Sequence, residues 1–390
     1  MTKNIKISPE GTRDLLFSQC ELRKRIGEQV CGLFEMRGYS EVITPTIEFY
    51  DLFARGSSVM PQQMLYKFTD NNGRLLALRA DCTTPIARMA ATRLKNAPLP
   101  IRLYYNQQVF RVTRTLGGGY HQAVQAGIEL IGAGGIRADL EIITTAVECL
   151  KRCSATDFRL EIGNSAYFNE LCENLPADDE IRETLRGLIE SKNHVAFNDL
   201  LSTLEDTPAV TAMRKLQELF GGVEVPDKAE SLFCNDKIKS SLRSLKQMYL
   251  ALEEMNLGGK ININLGLVHR NEYYTGVVFR GYIAGAGVSV LSGGRYDRLL
   301  SEFDFPVPAT GFAVEIDALC DALQDVAGQS GDKIPDVLVW GAQGCEMKAL
   351  TRVSELNARG LVCESALCDD RQAVMQYAED KGIARVEIIE

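Results

Sequence analysis

Three short stretches carry side chains whose types and spacing suit binding. In "LRADCTTPIARMAATRLK", Arg79, Asp81 and Thr83 alternate, so in an extended chain they share one face. In "QAVQAGIELIG", residues 122–132, Val124, Ala126, Ile128 and Leu130 point one way, while Gln125, Gly127 and Glu129 point the other. One face packs on a core; the other offers an amide, a gap and a carboxylate. A solvent-facing antiparallel strand has the same alternation. Gly127 weighs against that alternative, because glycine weakens a strand unless something approaches its backbone closely. In "EYYTGVVF", residues 272–279, two tyrosines and a glycine lead into β-branched and aromatic residues, which reads as a strand leaving a pocket. His269 and Arg270 stand just before it. Carboxylates with a hydroxyl can hold an ammonium group, and a carboxylate can accept from an imidazole N–H.

Other chemistries find less support. The three histidines, His121, His194 and His269, are far apart in sequence, so no metal site is expected. "GYIAGAG" and "TLGGGY" match neither a phosphate-binding loop nor the strand–glycine–helix context of a dinucleotide site, and read as turns. No cofactor is expected. Eleven cysteines lack C-x-x-C spacing, the nearest pairs being Cys149/Cys153 and Cys363/Cys368. That odd count, with no apolar secretory core in "MTKNIKISPEGTRDLL", fits a reducing cytoplasm. No long uncharged apolar run predicts a membrane span. A net charge of −9 disfavours a protein whose main task is gripping phosphate backbones.

The elements that must position these residues follow from periodicity. Leu22, Ile26, Val30, Leu33 and Phe34 predict an amphipathic helix over 19–37, ended by Gly38. "YSEVITPTIEFYDLF" is extended, with Pro45 forbidding a continuous central ladder. "LYKFTDNNGRLLALRAD" is a hairpin around Asp70-Asn71-Asn72-Gly73. A helix follows with Pro85 in its first turn. Residues 165–256 read as a helical insertion, with "LPADDE" and "VEVPDKAE" as breaks. Strands return over 261–300, turning at Gly285-Ala286-Gly287, and "ATGFAVEIDALCDAL" runs from strand or turn into helix. The expected organisation is a core over 1–323, a linker over 324–334 and a small domain over 335–390. The last alternates strand and helix as a parallel β-α-β-α-β unit, with Trp340 packing at its base.

Taken together, these segments resemble histidyl-tRNA synthetase and its relatives over most of the chain. "GYSEVITPTIEFYDLF" is similar to the first class II motif, whose proline usually lies at a dimer interface. "YYNQQVFRVTRTLGGGYHQAVQAGIELIG" is similar to the second. "LVHRNEYYTG" and "SGGRYDRLL" resemble the two histidine-specific segments, and "GFAVEIDAL" sits where the third motif belongs. The resemblance implies an α+β fold: a class II synthetase-like antiparallel sheet flanked by helices, with a helical insertion and a small C-terminal α/β domain.

The departures from that family bear on function. Arg111 of the second motif is kept, but the acidic residue that reads adenine is Thr113. An arginine position in the following loop has become Gly119, and the next is His121. The third-motif arginine falls on Ala318, and the histidine-specific arginine falls on His269, with Arg270 one position away. Losing one fixed donor typically costs about 10²–10³ in rate, so adenylation is not expected and no catalytic residue is assigned. Asp81, Thr83, Arg111, Gln125, Glu129, His269, Tyr273 and Tyr274 form the candidate histidine site that the resemblance implies. The bland alternative is that they are inherited scaffold, paired among themselves. The unit from residue 336 onward is shorter than the family's anticodon-binding domain and carries ten acidic against six basic side chains, so tRNA binding is not expected. This combination resembles the regulatory subunits of short-form ATP phosphoribosyltransferase. It implies a separate catalytic subunit as partner, a homodimer within a hetero-octamer, and a part in histidine feedback.

Overall fold

The computed structural model describes residues 6–54, 60–112, 120–155, 157–255, 257, 259–268, 274–324 and 334–390. The chain divides into two compact units. The first comprises Met1–Asp14 and Leu22–Val326, the second Leu15–Glu21 and Ala327–Glu390. The expected linker falls almost wholly outside the described residues.

The first unit is built on a nine-stranded sheet. Its order is β1 (Ser40–Glu41), β5 (Ile101–Phe110), β6 (Gln122–Ile131), β12 (Ala309–Glu315), β11 (Leu291–Arg295), β10 (Val277–Ile283), β7 (Phe158–Asn164), β9 (Ile261–Asn264) and β8 (Phe220–Gly221). Every pairing from β5 to β7 is antiparallel. The edges differ: β1 lies parallel to β5, and β9 parallel to β7. A parallel pair needs a long crossover, and the helical insertion supplies it between β7 and β9.

Each face of the sheet has its own core. On one side Ile26, Val30, Leu33 and Phe34 of α1 (Phe17–Met36) and Ile142, Ile143 and Ala146 of α4 (Ile136–Arg152) pack with Val124, Ala126, Ile128 and Leu130 of β6. On the other, Ile86, Ala87 and Ala90 of α3 (Thr83–Arg93) join Leu103, Tyr105 and Tyr296. β6 is therefore covered on both faces, with Gln125 5% and Glu129 1% exposed, which removes the solvent-facing alternative. Gly127 has the close neighbour its position called for. A Cβ there would lie 2.3 Å from the Phe312 carbonyl oxygen and 2.6 Å from the Tyr105 hydroxyl.

Around Pro45 the chain leaves the large sheet. It enters a small antiparallel sheet of β2 (Ile47–Phe49), β4 (Leu75–Leu78) and β3 (Lys67–Thr69), with α2 (Asp51–Ala54) following β2. The β3–β4 turn has Gly73 at φ +76°, and the Asp70 carboxylate accepts from the Asn72 and Arg74 N–H groups.

The insertion holds α5 (Ser165–Glu173), α6 (Asp179–Glu190), α7 (His194–Ser202), α8 (Pro208–Arg214), α9 (Val225–Leu232) and α10 (Asp236–Glu253). Asn164, Asp178, Asn193, Thr207 and Asn235 each accept a backbone N–H at a helix start. One expectation needs correcting: "VEVPDKAE" is not a break but opens α9. Pro226 sits in the first turn, where a missing N–H has no intrahelical partner to lose. α11 (Ile316–Gln324) follows β12.

The second unit is β13 (Val337–Gly341), α12 (Glu346–Asn357), β14 (Cys363–Ser365), α13 (Arg371–Lys381) and β15 (Val386–Ile389), with parallel strands in the order β14-β13-β15. Val337 and Val339 pack with α12, while Leu338 packs with α13. The Trp340 indole donates to the Cys368 carbonyl at 2.8 Å. Among the described residues no helix is long and apolar enough to cross a membrane, and no group of acidic, histidine and cysteine side chains could hold a metal ion.

Candidate functional site

The sheet face beneath α3 carries a cavity of about 210 Å³. Larger ligand pockets run to about 300–1,000 Å³, so this one fits a molecule of amino-acid size. Its floor is strands β6, β11 and β12, which present alternate residues to one face: Gln125 and Glu129, then Ser292, then Gly311, Ala313 and Glu315.

Glu129 is a buried carboxyl of that floor. The Thr83 hydroxyl donates to one carboxylate oxygen at 2.7 Å, and the Tyr296 hydroxyl donates to the other. Burial pushes its carboxyl up to about 8, against the lowering effect of those two hydroxyls. Gly311 makes room for it, since a Cβ there would lie 2.0 Å from a Glu129 oxygen.

Asp81 ends the approach to α3 and accepts from the Thr84 N–H at 2.9 Å and the Thr84 hydroxyl at 3.2 Å. Burial raises its carboxyl too, countered by Thr84 and by the positive charge of Arg111. The Arg111 guanidinium donates to Glu315 at 3.2 Å, and the Gln125 amide donates to the same oxygen at 2.5 Å. Tyr274 lines the wall, and a Cβ on Gly294 would lie 2.8 Å from its ring.

Asp81, Thr83, Arg111, Gln125, Glu129 and Tyr274 thus line one cavity. His269 and Tyr273 lie outside the described residues, as do Arg270, Thr113 and Gly119. His121 is not in the cavity lining; its Nδ1 lies 2.9 Å from the Tyr66 hydroxyl. Ala318 packs half-buried against the main core.

Sequence reasoning missed Tyr105, Tyr296, Glu315 and Glu190, all of which line the cavity. Glu315 was within reach: Gly311, Ala313 and Glu315 show the same period of two as β6. Glu190 had no such signal, because it ends a helix of the insertion.

The electrostatic character follows from the lining. Among the described residues it holds four carboxyl groups, Asp81, Glu129, Glu190 and Glu315, and a single guanidinium, Arg111. A triphosphate in transfer needs several fixed cationic donors. This arrangement instead suits a small ligand bearing a cationic nitrogen and one carboxylate.

Comparison with known proteins identifies the fold and the family. A family model described as histidyl-tRNA synthetase matches residues 11–319. The fold is that of the class II synthetase-like proteins, and the histidyl-tRNA synthetase of Nostoc sp. PCC 7120 superposes with a TM-score of 0.74 over 97% of this chain and 90% of that one, at 20% identity. Closer in sequence is a solved ATP phosphoribosyltransferase regulatory subunit/histidyl-tRNA synthetase from Bacillus halodurans C, at 31% identity and a TM-score of 0.84, covering 99% of this chain and 98% of that one. ATP phosphoribosyltransferase regulatory subunits from Clostridium botulinum (strain 657 / Type Ba4) and Clostridium kluyveri are 38% and 37% identical over 97% and 98% of this chain, covering 90% and 99% of those proteins. The chain belongs to the family of ATP phosphoribosyltransferase regulatory subunits. Its role is regulatory rather than catalytic.

Proposed function

We propose that this chain binds the catalytic subunit of ATP phosphoribosyltransferase, activates it in the first step of histidine biosynthesis, and helps carry feedback by histidine. The observation that carries the ligand is the cavity: carboxyl-rich, with one guanidinium among its described residues, and of amino-acid size. In this reading Glu129 meets a cationic or N–H-bearing nitrogen of histidine, Arg111 faces its carboxylate, and Tyr273 and Tyr274 wall the ring. His269, on which the resemblance to histidyl-tRNA synthetase places a permanent cation, would weaken the carboxylate clamp and suit reversible sensing.

The assembly is a homodimer within a hetero-octamer. Support comes from the region around the first motif, where Ile43, Ile47, Phe49, Phe68 and Leu75 are exposed, an apolar set of the kind that association covers. The compartment proposed is the cytoplasm, in keeping with eleven unpaired cysteines.

Regulation requires that histidine or the partner bind two conformations differently. Mixing the chain with a short-form catalytic subunit tests the whole reading. The expected result is a complex on a sizing column, faster turnover, and inhibition by histidine that depends on Glu129. Unchanged turnover with no complex would overturn the activation, and histidine-dependent ATP–pyrophosphate exchange by the pure chain would return it to the synthetases.

A further inference from the structure

Alternate rungs of the β6–β12 ladder form part of the cavity floor, and they differ from end to end. Glu129 stands opposite Gly311, Gly127 opposite Ala313, and Gln125 opposite Glu315. Directly opposite residues of an antiparallel pair share a face. One end therefore offers a carboxyl that accepts from two hydroxyls, the middle offers small residues, and the other end offers Glu315.

Glu315 comes with partners of its own. Its Oε1 accepts from the Gln125 amide at 2.5 Å and from the Arg111 guanidinium at 3.2 Å. Arg111 is the one guanidinium among the described lining residues. It meets Glu315 through a single nitrogen, Nη2, and that is its only guanidinium hydrogen bond among the described residues. Arg295 differs, since it grips Asp139 through two nitrogens at 3.0 Å and 2.7 Å. The Arg111 and Glu315 side chains stay 28% and 25% exposed, so a ligand can reach both. Glu315 thus neutralises Arg111 without using its remaining N–H groups.

Resting on the reading of the cavity as a histidine site, we propose that Glu315 is an internal competitor for the ligand carboxylate at Arg111, and so sets the affinity and the charge selectivity of the cavity. A ligand carboxylate that reaches the remaining N–H groups of Arg111 comes close to a second carboxylate, and like charges at that range repel. The attraction of Arg111 and the repulsion of Glu315 largely offset each other. Selectivity then rests on the cationic nitrogen of the ligand, with its carboxylate accommodated rather than clamped. The same device rejects phosphates, because the one guanidinium of the described lining presents no net positive charge. A sensor must release its ligand when the concentration falls, and an internal competitor achieves this without altering the shape of the cavity.

Titration of two ligands into the full-length chain tests this: L-histidine, and L-histidinol, which carries a hydroxymethyl group in place of the carboxylate. The native chain is expected to bind L-histidinol at least as tightly as L-histidine. Glu315→Gln keeps the length of the side chain and removes its charge. It is expected to bind L-histidine about ten-fold more tightly, by relief of repulsion, and L-histidinol more weakly, by loss of a negative charge from the cavity. Opposite shifts for the two ligands are the signature, since a change of cavity shape moves both in one direction. Shifts of the same sign, or none, overturn the competitor role and leave the histidine site standing. A native preference of about ten-fold or more for L-histidine over L-histidinol also overturns it, and requires no variant to fold. No binding of either ligand by either chain, alone or with the catalytic subunit, overturns the histidine site as well.

Discussion

Two buried carboxylates close to the same sheet are treated in opposite ways. Asp139 of α4 is met by Arg295, whose guanidinium donates to it at 2.7 Å and 3.0 Å and also reaches the Ala133 and Gly135 carbonyls at 3.3 Å and 3.4 Å. Glu129 of β6 is as deeply buried, yet its partners are two hydroxyls, and among the described residues it makes no ion pair. The first is a closed arrangement in which every charge is answered within the protein. The second is open on the cationic side. Burying a charge without an ionic partner is costly, and at Glu129 that cost shows as a carboxyl pushed up to about 8, so the group is largely protonated at neutral pH and would ionise only beside a cation. The bland alternative, in which the pocket residues are scaffold satisfied among themselves, stands for Glu129 too, since the Thr83 and Tyr296 hydroxyls both donate to it.

The sharpest way to break the comparison is to remove the partner on the closed side. Arg295→Met leaves Asp139 buried without its cation, and is expected to destabilise the chain by about 3–5 kcal/mol. Thermal unfolding checks this, with a midpoint falling by roughly 2–4 °C per kcal/mol for a domain of about 150–250 residues and by less for a larger unit. If Arg295→Met unfolds like the native chain, the pair is not the closed unit described here.

Glu129→Gln should act in the opposite sense on stability and strongly on binding. Loss of the carboxylate is expected to weaken histidine on the order of 10²-fold, while the folded chain gains stability at pH 8. The sign follows from linkage. The Glu129 carboxyl rises from an ordinary value of 4.5 to about 8 on folding, so the folded state holds its proton more tightly than the unfolded state. Its effect on stability is harmless below about 4.5 and grows unfavourable as pH rises toward 8. Native and Glu129→Gln chains should therefore have similar denaturation midpoints near pH 4.5 and diverge by pH 8, the variant being the more stable. Coincident midpoints at both pH values would show that Glu129 is not held in this way.

The same proton sharpens the reading of the ligand. A cation at Glu129 competes with the proton, so histidine should bind more tightly as pH rises from 6 toward 8, with release of a proton. Titration in buffers of different ionisation heat measures that release directly. Uptake of a proton, or affinity independent of pH, would mean that Glu129 stays protonated beside the ligand.

How much of this was legible in sequence depended on how local the signal was. The period of two on β6 gave Gln125 and Glu129 their shared face, and Gly127 hinted at the close approach that Tyr105 and Phe312 make. The hairpin at Asp70–Gly73 and the parallel C-terminal unit were readable because turn chemistry and alternation are local. Tyr296 and Glu190 were not. Each reaches the cavity through long-range packing, Tyr296 from just beyond β11 and Glu190 from the insertion. The mixed edges of the sheet were equally hidden, since β9 pairs with β7 only after the whole insertion has crossed between them. "VEVPDKAE" misled because a proline marks a helix start as readily as a break.

The smallest effect concerns the region that resemblance assigns to the nucleotide. α11 carries Ala318, on which the resemblance to histidyl-tRNA synthetase places an arginine, and its neighbours are acids with internal partners. Asp317 accepts the Val124 N–H at 2.6 Å and lies 3.7 Å from Arg23. Asp321 pairs with Arg13 at 2.8 Å and accepts the Tyr120 hydroxyl, while Arg13 stacks over the Tyr120 ring at 4.3 Å. A helix face that would have to attract phosphates instead presents carboxylates that fasten the N-terminal segment, a closed arrangement like that of Asp139. Asp321 and Arg13 are about one-third exposed, with side-chain accessibilities of 37% and 33%, so solvent screens the pair. Asp321→Asn is accordingly expected to cost about 1 kcal/mol, less at high salt, and to leave histidine affinity unchanged. A denaturation curve and a histidine titration on the one variant decide it. A large loss of affinity would mean that this region and the pocket are a single coupled site, and that the contrast drawn between closed and open carboxylates does not separate them.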